Sequence, residues 1–402
     1  MKESIRSIDV RGRRVMVRED FNVPIMHGRI ESQTRLLACL PTLEDLSARG
    51  ARVIITSHLG RPGGHPNPEL SLRPVAARLG ELLHAPVAFA SDCIGAAARV
   101  AIDKLAPGGF VLLENVRFHP EEEANDPVFA RELASLAELF VNDAFGSSHR
   151  SHASVVGVAQ YLPAYAGSLM LAELSALHRA LDNPARPLVA VVGGAKVSTK
   201  VGVLRHLLIK VDRLIVAGAM ANNFLRAQGI PVGASLIEED ALAEAAEVAR
   251  LAGDRLFLPV DAVCAPSLER PEPTSEVDID QVPRDLMILD IGRKSAASFD
   301  RALAGAKTVV WNGPPGAFEY PQFRAGTRLL AESIINCGAY SLVGGGDTAA
   351  AVAMLKLGDR FSYVSTGGGA TLEYMEGKGL PGVAVLSDVG ARLQPLISPP
   401  HA

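Results

Sequence analysis

Short runs of β-branched and other apolar residues alternate with helix-like stretches along almost the whole chain, and this alternation restricts the fold more than any other feature. In the first half the runs are Val15–Val17, Val53–Thr56, Phe110–Leu113 and Leu139–Val141. In the second half they are Leu188–Val192, Leu214–Val216, Thr308–Trp311, Ser341–Val343 and Tyr363–Ser365. The pattern predicts an α/β fold, because parallel sheets covered by helices bury their strands on both faces.

The chain has 402 residues, which is long for one hydrophobic core and suits two domains. Helix-like stretches at Ala241–Leu251 and Phe323–Ile335 lie between the predicted strands. Ser168–Leu181 is predicted to form a helix that ends at Asp182-Asn183-Pro184. We therefore expect a first domain over residues 1–167, a connecting helix and linker over 168–185, a second domain over 186–385 and a tail over 386–402.

Composition excludes several classes of partner. The formal net charge is −4, which favours neither nucleic-acid binding nor a polybasic membrane surface. The four cysteines are far apart, so a disulfide framework or a cysteine metal motif is not expected. The N-terminal residues lack the apolar core of a signal peptide, and no apolar run of about 18 residues is present. We expect a cytoplasmic monomer that acts on small molecules.

Three glycine-rich turns follow predicted strands in the second half. They begin at Gly193-Gly194, at Gly344-Gly345-Gly346 and at Gly367-Gly368-Gly369. A strand, a glycine turn and a helix N-terminus present free backbone N–H groups to an anion. Tight turns between strands and helices also use glycine for purely structural reasons. Three such turns in one half of the chain favour a phosphate-binding edge.

Charged residues stand beside these glycines. Asp347 begins a predicted helix, where its carboxylate can bind magnesium on a nucleotide or can cap its own helix. Lys196 and Lys200 are four residues apart, so on one helix face both could reach a phosphate, although such lysine pairs are also common on solvated faces. No turn has the G-x-x-x-x-G-K-[ST] pattern or the G-x-G-x-x-G dinucleotide pattern.

The first half carries a different set of side chains, mostly where its predicted strands end, namely Arg35, His58, Arg61, Arg117, His149, Arg150 and His152. The guanidinium fork matches phosphate and carboxylate groups, so these arginines indicate an oxyanion site. A metal site at His149 and His152 is a weaker hypothesis, because no carboxylate or cysteine completes it.

Several segments together resemble one known family. Arg18-Glu19-Asp20-Phe21-Asn22-Val23-Pro24 is similar to the R-x-D-x-N-V-P signature of the phosphoglycerate kinases. Further matches follow in the family's order: Arg35, Ser57–Pro62, Leu113–Phe118, Asn142–Gly146, His149-Arg150, Gly193–Lys200, Val309–Pro314, Gly344–Thr348 and Ser365–Ala370. The resemblance covers nearly the whole chain.

This resemblance implies two Rossmann-like domains, each a parallel sheet flanked by helices, joined by an interdomain helix and a hinge, with the tail returning to the N-terminal domain. It implies reversible phosphoryl transfer between 1,3-bisphosphoglycerate plus ADP and 3-phosphoglycerate plus ATP, with Mg²⁺ as cofactor. It assigns substrate binding in the first domain to Asp20, Phe21, Asn22, Arg35, His58, Leu59, Gly60, Arg61, Arg117 and Arg150.

The resemblance assigns nucleotide binding to the second domain, through Gly193, Lys196, Lys200, Gly292, Asn312, Glu319, Gly344, Gly345, Gly346, Asp347 and Thr348. Asp347 would be near the magnesium ion. The catalytic candidates are Arg35, Lys200, Gly368 and Gly369. A carboxylate substrate is ionised at neutral pH and needs no general base. Alignment and charge neutralisation are therefore the main requirements of an in-line transfer.

Substrates held by different domains must be brought together, so we expect domain closure. The predicted helix Ser168–Leu181 and the Ser365-Thr366 segment are the hinge candidates. The sequence departs from the family pattern at Ala217, Ala219, Pro315 and Ala317, on the expected base side of the nucleotide, and at Arg293.

Two other functions remain open from the residues alone. The same fold could belong to a nucleotide-binding protein without catalytic activity, although Arg35, Lys200 and Asp347 are all present. An α/β dehydrogenase is the other alternative, and the absent dinucleotide pattern argues against it.

Overall fold

The computed structural model describes residues 2–26 and 28–390 of the chain. The chain forms two compact units. Unit 1 comprises Met1–Leu174 and Gly379–Ala402, and unit 2 comprises Ser175–Lys378. The limit after Leu174 falls inside the connecting segment 168–185 that we expected from the sequence, and the limit after Lys378 precedes the expected end of the second domain at 385. Of the expected tail, residues 391–402 lie outside the described residues.

Unit 1 contains a six-stranded parallel sheet in the order β5-β6-β4-β1-β7-β8 and a short antiparallel pair, β2-β3. The strands are β1 (Arg14–Arg18), β2 (Ile25–Met26), β3 (Arg29–Ile30), β4 (Arg52–Thr56), β5 (Val87–Ala90), β6 (Phe110–Leu113), β7 (Leu139–Asn142) and β8 (Ala164–Ala166). Residues in β6 and β7 are buried throughout, because helices cover both faces of a parallel sheet.

The helices of the first part of the chain are α1 (Thr34–Ala48), α2 (Arg73–Leu82), α3 (Gly95–Asp103), α4 (Pro120–Glu123), α5 (Pro127–Ala134) and α6 (Ser168–Leu177). The limit between the units falls within α6. After α6 the chain continues in a wider helical turn over His178–Asp182, so the predicted helix Ser168–Leu181 is confirmed in extent.

Unit 2 contains a six-stranded parallel sheet and a three-stranded antiparallel sheet. The parallel order is β11-β10-β9-β15-β16-β17, and the antiparallel order is β13-β12-β14. The strands are β9 (Leu188–Val192), β10 (Arg213–Val216), β11 (Leu256–Phe257), β12 (Asp261–Ala265), β13 (Ser275–Asp278), β14 (Met287–Ile291), β15 (Thr308–Asn312), β16 (Tyr340–Gly344) and β17 (Tyr363–Val364).

The helices of unit 2 are α7 (Val201–Lys210), α8 (Ala221–Ala227), α9 (Leu242–Ala252), α10 (Arg293–Leu303), α11 (Ala325–Asn336), α12 (Gly346–Met354) and α13 (Gly369–Met375). A last helix, α14 (Pro381–Ala384), belongs to unit 1. There the chain is held by backbone hydrogen bonds such as Gly382 N to Ser148 O at 2.8 Å and Ser387 N to Ala164 O at 2.9 Å.

The predicted α/β fold, with parallel sheets flanked by helices, is confirmed. In unit 2, β9 has β10 on one side and β15 on the other, so the direction of winding reverses between β9 and β15. Ligands of such sheets bind outside the carboxyl ends of the strands at this point of reversal. The antiparallel sheet was not predicted.

Each unit has its own apolar core. In unit 1 the core includes Val17, Phe21, Leu36 and Ile55, and in unit 2 it includes Trp311. Among the residues that the structure describes, no helix has the length and apolar character needed to cross a membrane.

Candidate active site

The strands β1, β4, β6 and β7 of unit 1 are parallel, so their carboxyl ends lie along one edge of the sheet. The segments that leave this edge carry most of the predicted substrate residues. Phe21 and Leu59 are buried, and they anchor two of these segments in the core. The backbone N–H of Phe21 also donates to Oγ of Ser57 at 2.9 Å.

Asp20, Asn22 and Arg35 form a connected group. Nη1 of Arg35 donates to Oδ1 of Asp20 at 2.8 Å and to the backbone oxygen of Asn22 at 2.9 Å. The side-chain oxygen of Asn22 accepts from the backbone N–H of Gly60 at 2.9 Å. The segments after β1 and β4 are thereby joined to the N-terminal turn of α1. This contact fixes one nitrogen of the Arg35 fork while the side chain remains partly exposed.

His58 is buried beside a cation. Its Nδ1 lies 3.1 Å from Nη2 of Arg18. Burial, and then the positive charges of Arg18, Arg150 and Arg35, hold the pKa of His58 well below its usual value. The imidazole is therefore neutral at physiological pH and contributes hydrogen bonding rather than charge.

Three further arginines differ in their surroundings. Arg117 is buried and donates through Nη1 to the backbone oxygen of Gly60 at 2.7 Å. Its Nε lies 3.2 Å from Oε1 of Glu123, without the geometry of a hydrogen bond. Arg150 is half-buried and donates through Nε to Nε2 of His149 at 3.2 Å. Arg61 is exposed.

A buried charged group beneath these residues was not predicted. Arg18 is 1% exposed and donates through Nε to Oγ of Ser154 at 2.8 Å. The Ser154 hydroxyl donates to Oε1 of Glu122 at 2.6 Å, so it bridges the guanidinium and a buried carboxylate. The sequence signal was the charged Arg18 directly after the apolar run Val15–Val17, because a charged group that continues a buried strand requires buried partners.

Two more carboxyl groups, Glu19 and Asp143, are buried nearby. Burial, and then the charge of Asp143, raises the pKa of Glu19 well above its usual value. Burial raises the pKa of Asp143 to about 6, although hydrogen bonds from Thr42 and from the backbone of α6 oppose the shift. The N–H of Met170, in the first turn of α6, donates to Oδ1 of Asp143 at 2.9 Å. Asp143 therefore joins the end of β7 to the start of α6.

In unit 2 the backbones that follow β9 and β15 approach each other closely. A Cβ on Gly313 would lie 2.1 Å from the backbone oxygen of Gly193, and a Cβ on Gly193 would lie 2.5 Å from the oxygens of Gly313 and Pro314. Gly313 also has φ +100°, which side chains rarely allow. Only glycine fits at these two positions, and the result is a side-chain-free floor at the point where the winding reverses.

Lys200 lies over this floor. Its Nζ donates to the backbone oxygens of Gly193 at 2.5 Å and of Asn312 at 3.3 Å. Burial lowers its pKa to about 8, and the negative charge of Asp347 partly opposes that shift. The ammonium group is desolvated and held by carbonyl oxygens, so an anionic ligand would be a stronger partner than those it has.

The prediction that Lys196 and Lys200 share a helix face is wrong. The helix α7 begins only at Val201, and both lysines lie in the turn before it. The hydroxyl of Thr199 donates to the backbone oxygen of Lys196 at 3.0 Å, and Ser198 hydrogen-bonds to Glu238. These side-chain bonds favour a turn over a helix. Lys196 is exposed, whereas Lys200 is partly buried.

The turn after β16 is the predicted glycine turn at a helix N-terminus. Gly344 ends β16, Gly345 precedes the helix with φ +90°, and Gly346 begins α12. Asn312 donates through Nδ2 to the oxygen of Gly344 at 3.0 Å, and Thr348 accepts from the N–H of Gly313 at 2.7 Å. These bonds join the turns after β15 and β16.

Asp347 is exposed in the first turn of α12, and the N-cap position of that helix is occupied by Gly345. The alternative that it caps its own helix is therefore not what the structure has. A free carboxylate beside a lysine and a glycine turn fits a hard cation such as Mg²⁺, which prefers oxygen ligands and carries phosphates.

A cavity of about 220 Å³ lies against these turns. Its described lining consists of apolar residues and the glycines Gly194, Gly218 and Gly316, and only Glu319 and Asp347 bring charged side chains. The lining residues are Gly194, Ala195, Gly218, Ala219, Leu236, Leu268, Met287, Ile288, Leu289, Pro314, Pro315, Gly316, Ala317, Phe318, Glu319 and Asp347. Three of the departures from the family pattern, Ala219, Pro315 and Ala317, line it.

Of the predicted nucleotide-binding residues, Glu319 and Asp347 belong to this lining, whereas Gly193, Lys196, Lys200, Gly292, Asn312, Gly344, Gly345, Gly346 and Thr348 do not. The catalytic candidates Gly368 and Gly369 also lie outside it. Gly292 is buried at the start of α10, where a Cβ would lie 2.2 Å from the Asp261 carboxylate, so the structure gives it a packing role. Gly368 has φ +52° and precedes the seven-residue helix α13, which begins at the exposed Gly369. Apart from its chain neighbours, no heavy atom of the residues that the structure describes lies within 4 Å of a Cβ placed on Gly368, so the space beside it is open.

The two sites have complementary chemistry. Unit 1 offers arginines and a neutral histidine at a sheet edge, which suits a small anion with phosphate and carboxylate groups. Unit 2 offers an apolar cavity, a lysine and a free carboxylate, which suits a nucleotide with its metal ion. In the described part of the chain, His149 and His152 do not belong to a group of three potential metal ligands.

Comparison with known proteins gives a family over the same span. The family model described as phosphoglycerate kinase matches residues 5–378. A phosphoglycerate kinase of Synechococcus sp. (strain JA-3-3Ab) is 52% identical over 397 residues, covering 94% of this chain and 96% of that protein. A phosphoglycerate kinase of Desulfosudis oleivorans is 51% identical over 389 residues, which cover 96% of this chain and 98% of that protein.

Solved structures of phosphoglycerate kinases are similar to this chain as well. The phosphoglycerate kinase of Coxiella burnetii is 44% identical, with a TM-score of 0.86, and covers 96% of this chain and 98% of its own. That of Pyrococcus horikoshii OT3 is 31% identical, with a TM-score of 0.87 and the same coverage. The predicted resemblance is confirmed in sequence and in fold.

Proposed function

Because this chain belongs to the phosphoglycerate kinase family, we propose that unit 1 binds phosphoglycerate and that unit 2 binds the nucleotide. The reaction is the reversible phosphoryl transfer of glycolysis and gluconeogenesis, between 1,3-bisphosphoglycerate plus ADP and 3-phosphoglycerate plus ATP. The observation that carries the assignment is the division of charge between the two sites. The arginine cluster lies in unit 1, and the desolvated lysine with the free carboxylate lies in unit 2.

The phosphoglycerate site would consist of Arg35, Arg61, Arg117 and Arg150 together with His58. Arg61 and the free part of the Arg35 fork are accessible, so they are suited to first contact with an anion. Arg117 is fixed to the backbone of Gly60, which preorganises it. A preorganised donor loses less conformational entropy when the anion binds. Asp20 and Asn22 would contact the hydroxyl and carboxyl end of the substrate.

The nucleotide site combines the cavity, Lys200 and Asp347. The base and ribose would occupy the apolar cavity, with Glu319 towards the ribose. The phosphates would lie over Gly193, the Gly344–Thr348 turn and Lys200, with Lys196 and Asn312 beside them. Asp347 would hold Mg²⁺, which neutralises phosphate charge when it is bound. Gly292 would act indirectly, through the position of α10.

Transfer itself needs charge neutralisation and alignment rather than a base. The acceptor carboxylate is ionised at neutral pH, because its pKa is about 4. Arg35 and Lys200 would neutralise charge that develops on the transferred group, and the N–H groups at Gly368 and Gly369 would add fixed dipoles. A single arginine contributes a factor of about 10³–10⁵ in other phosphoryl-transfer enzymes.

Direct in-line transfer requires that the two bound substrates meet, so we propose that the units close on each other during turnover. The helix α6 with its continuation to Asp182, and the Ser365-Thr366 segment, are the candidate hinges. We also propose that the protein acts as a cytoplasmic monomer. The mass in solution, measured by light scattering with and without substrates, tests the monomeric state.

The activity is tested with 3-phosphoglycerate, ATP and Mg²⁺, with formation of the acyl phosphate coupled to NADH oxidation. We expect turnover in the native protein, and a loss of at least about 10³-fold in Arg35→Ala and in Lys200→Ala. Omission of Mg²⁺ should abolish turnover. The matched controls are Lys104→Ala and Arg226→Ala, which remove exposed cations outside the two sites and should keep activity.

Circular dichroism establishes that each variant is folded. An absence of turnover in the folded native protein would refute the activity. Full activity in Arg35→Ala or Lys200→Ala would refute the assignment of that residue.

A further inference from the structure

A second group of potential ligands lies in unit 1 and has no part in the proposed reaction. It consists of Asp92, Cys93 and His119. Asp92 and Cys93 follow β5, and His119 follows the short 3-10 helix Val116–Phe118 after β6. The strands β5 and β6 are parallel neighbours, so these segments leave the same edge of the sheet side by side.

The three side chains converge. One ligand atom from each lies within 4.8 Å of the ligand atoms of the other two. Nε2 of His119 lies 2.8 Å from Oδ1 of Asp92. The Cys93 thiol is free and the residue is buried, so one member of the group has a fixed position in the core. The side chains of His119 and Asp92 are 26% and 44% exposed, which leaves them room to adjust.

Two members of the group face a cavity of about 640 Å³, and the buried Cys93 is not part of its described lining. Asp92 and His119 line it, together with Ser71 and Glu114. Glu114 is already engaged, because its two carboxylate oxygens accept hydrogen bonds from the Ser71 hydroxyl and from the backbone of Leu72 and Asn115. The cavity can therefore supply water as a further ligand, while Glu114 stays in its structural role.

We propose that Asp92, Cys93 and His119 form a binding site for a divalent cation of the zinc class. A thiolate, an imidazole and a carboxylate together are the donor set that Zn²⁺ accepts, whereas Mg²⁺ and Ca²⁺ prefer oxygen alone. Three protein ligands leave a fourth, tetrahedral position for water from the cavity. Zinc–ligand bonds of about 2.0–2.3 Å place tetrahedral ligands about 3.4–3.6 Å apart, which a shift of about 1 Å in the two partly exposed side chains achieves.

The site would join the segment after β5 to the segment that carries Arg117. Bound metal would replace the hydrogen bond between Asp92 and His119 with two bonds to one ion. Because the metal binds the folded chain, it should raise the melting temperature of the protein. This effect requires neither nucleotide nor phosphoglycerate.

The test uses the full chain, stripped of metal and kept reduced, and titrated calorimetrically with Zn²⁺ in the presence of excess Mg²⁺ and without substrates. We expect one Zn²⁺ per chain. His119→Gln and Cys93→Ser should each weaken binding by at least about 100-fold, because removal of a direct ligand costs more than the 10–100-fold lost with an outer partner. Titration with Co²⁺ should give the charge-transfer absorption of a thiolate ligand, and Cys93→Ser should abolish it.

Cys337→Ser is the matched control, since it removes a partly exposed thiol in unit 2 and should change nothing. If Cys93→Ser fails to fold, binding of Zn²⁺ by His119→Gln is the deciding measurement. The His119 side chain is partly exposed, so its replacement should leave the fold intact. Absence of stoichiometric Zn²⁺ binding in the native chain would overturn the proposal. Equal binding by the native chain and His119→Gln would overturn it as well. Kinase activity is not part of the readout, so failure here leaves the proposed function untouched.

Discussion

Nη1 of Arg35 donates to Oδ1 of Asp20 at 2.8 Å and so fixes the direction of the guanidinium. The same nitrogen donates to the backbone oxygen of Asn22. One nitrogen of the fork is therefore used for positioning, and the proposed function assigns the rest of the fork to the substrate. Asp20 then acts on the reaction partly through Arg35.

Asp20→Asn should reduce kcat/KM for 3-phosphoglycerate by about 10–100-fold. A hydrogen bond to a charged group contributes about 1.5–3 kcal/mol, and about 1.4 kcal/mol corresponds to a factor of ten. The variant keeps the shape of the side chain and weakens its hold on Arg35. Steady-state kinetics measure the change, with Asp103→Asn at an exposed position as the control. Unchanged kinetics in Asp20→Asn would contradict the positioning role.

The lowered pKa of Lys200 predicts an alkaline limit of activity. Burial lowers this pKa to about 8, so in the free protein the positive charge is lost as the pH rises through about 8. We expect kcat/KM for MgATP to fall above that pH in the native protein. Lys200→Arg keeps a positive charge at all these pH values. Whatever its overall activity, its profile should therefore remain flat up to about pH 9, and an identical fall in both proteins would contradict the prediction.

Asp143 predicts a specific dependence of stability on pH. Its folded pKa is about 6 and its usual value is 3.8, so between these values the folded protein binds a proton that the unfolded chain does not. This group therefore adds stability as the pH falls from about 6 towards 4. Asp143→Asn lacks the effect. Urea unfolding at several pH values should show the free energy of unfolding of the native protein rising relative to the variant as pH falls. A difference in the free energy of unfolding between the two proteins that stays constant with pH would refute this role of Asp143.

The cavity of unit 2 predicts weak selection among purine bases. Among its described lining residues only Glu319 and Asp347 have polar side chains, and we assign them to the ribose and the metal ion. A site built to hydrogen-bond its ligand rejects the wrong one by about 10⁴–10⁵, whereas an apolar site discriminates far less. We expect kcat/KM for GTP within about tenfold of that for ATP. A preference of a thousandfold or more would show that backbone groups read the base.

The parallel sheets could be predicted because their strands are continuous apolar runs. Leu188–Val192 was predicted and found with the same bounds. The antiparallel strands β12, β13 and β14 escaped because β13 and the start of β14 are partly exposed, and because the pairing of β12 with β14 is irregular. The register shifts between Val263 and Cys264, and Pro271 and Pro273 interrupt the segment before β13. Such strands owe their pairing to tertiary contacts that local pattern does not reveal.

The residues of the candidate site likewise include some that the sequence could predict and some that it could not. Residues of the recognisable motifs, such as Asp20 and Lys200, could be named from the sequence. The buried partners of motif residues could not be named from the sequence. Arg18 is an example, because Ser154 and Glu122 are far from it along the chain and come near it only in the folded protein. The error over Lys196 and Lys200 has a local cause, since Ser198 and Thr199 hydrogen-bond in a turn and delay the helix to Val201.

The central claim is that each unit binds its own substrate, and separate binding measurements test it most directly. Calorimetric titrations of 3-phosphoglycerate and of MgADP would be made with the native protein, Arg35→Ala and Lys200→Ala. We predict that Arg35→Ala weakens the binding of 3-phosphoglycerate at least about tenfold, because a charged hydrogen bond is lost. The affinity of this variant for MgADP should stay within threefold of the native value. Lys200→Ala should weaken the binding of MgADP at least about tenfold and should leave the affinity for 3-phosphoglycerate within threefold. Loss of MgADP binding in Arg35→Ala, or of 3-phosphoglycerate binding in Lys200→Ala, would contradict the account.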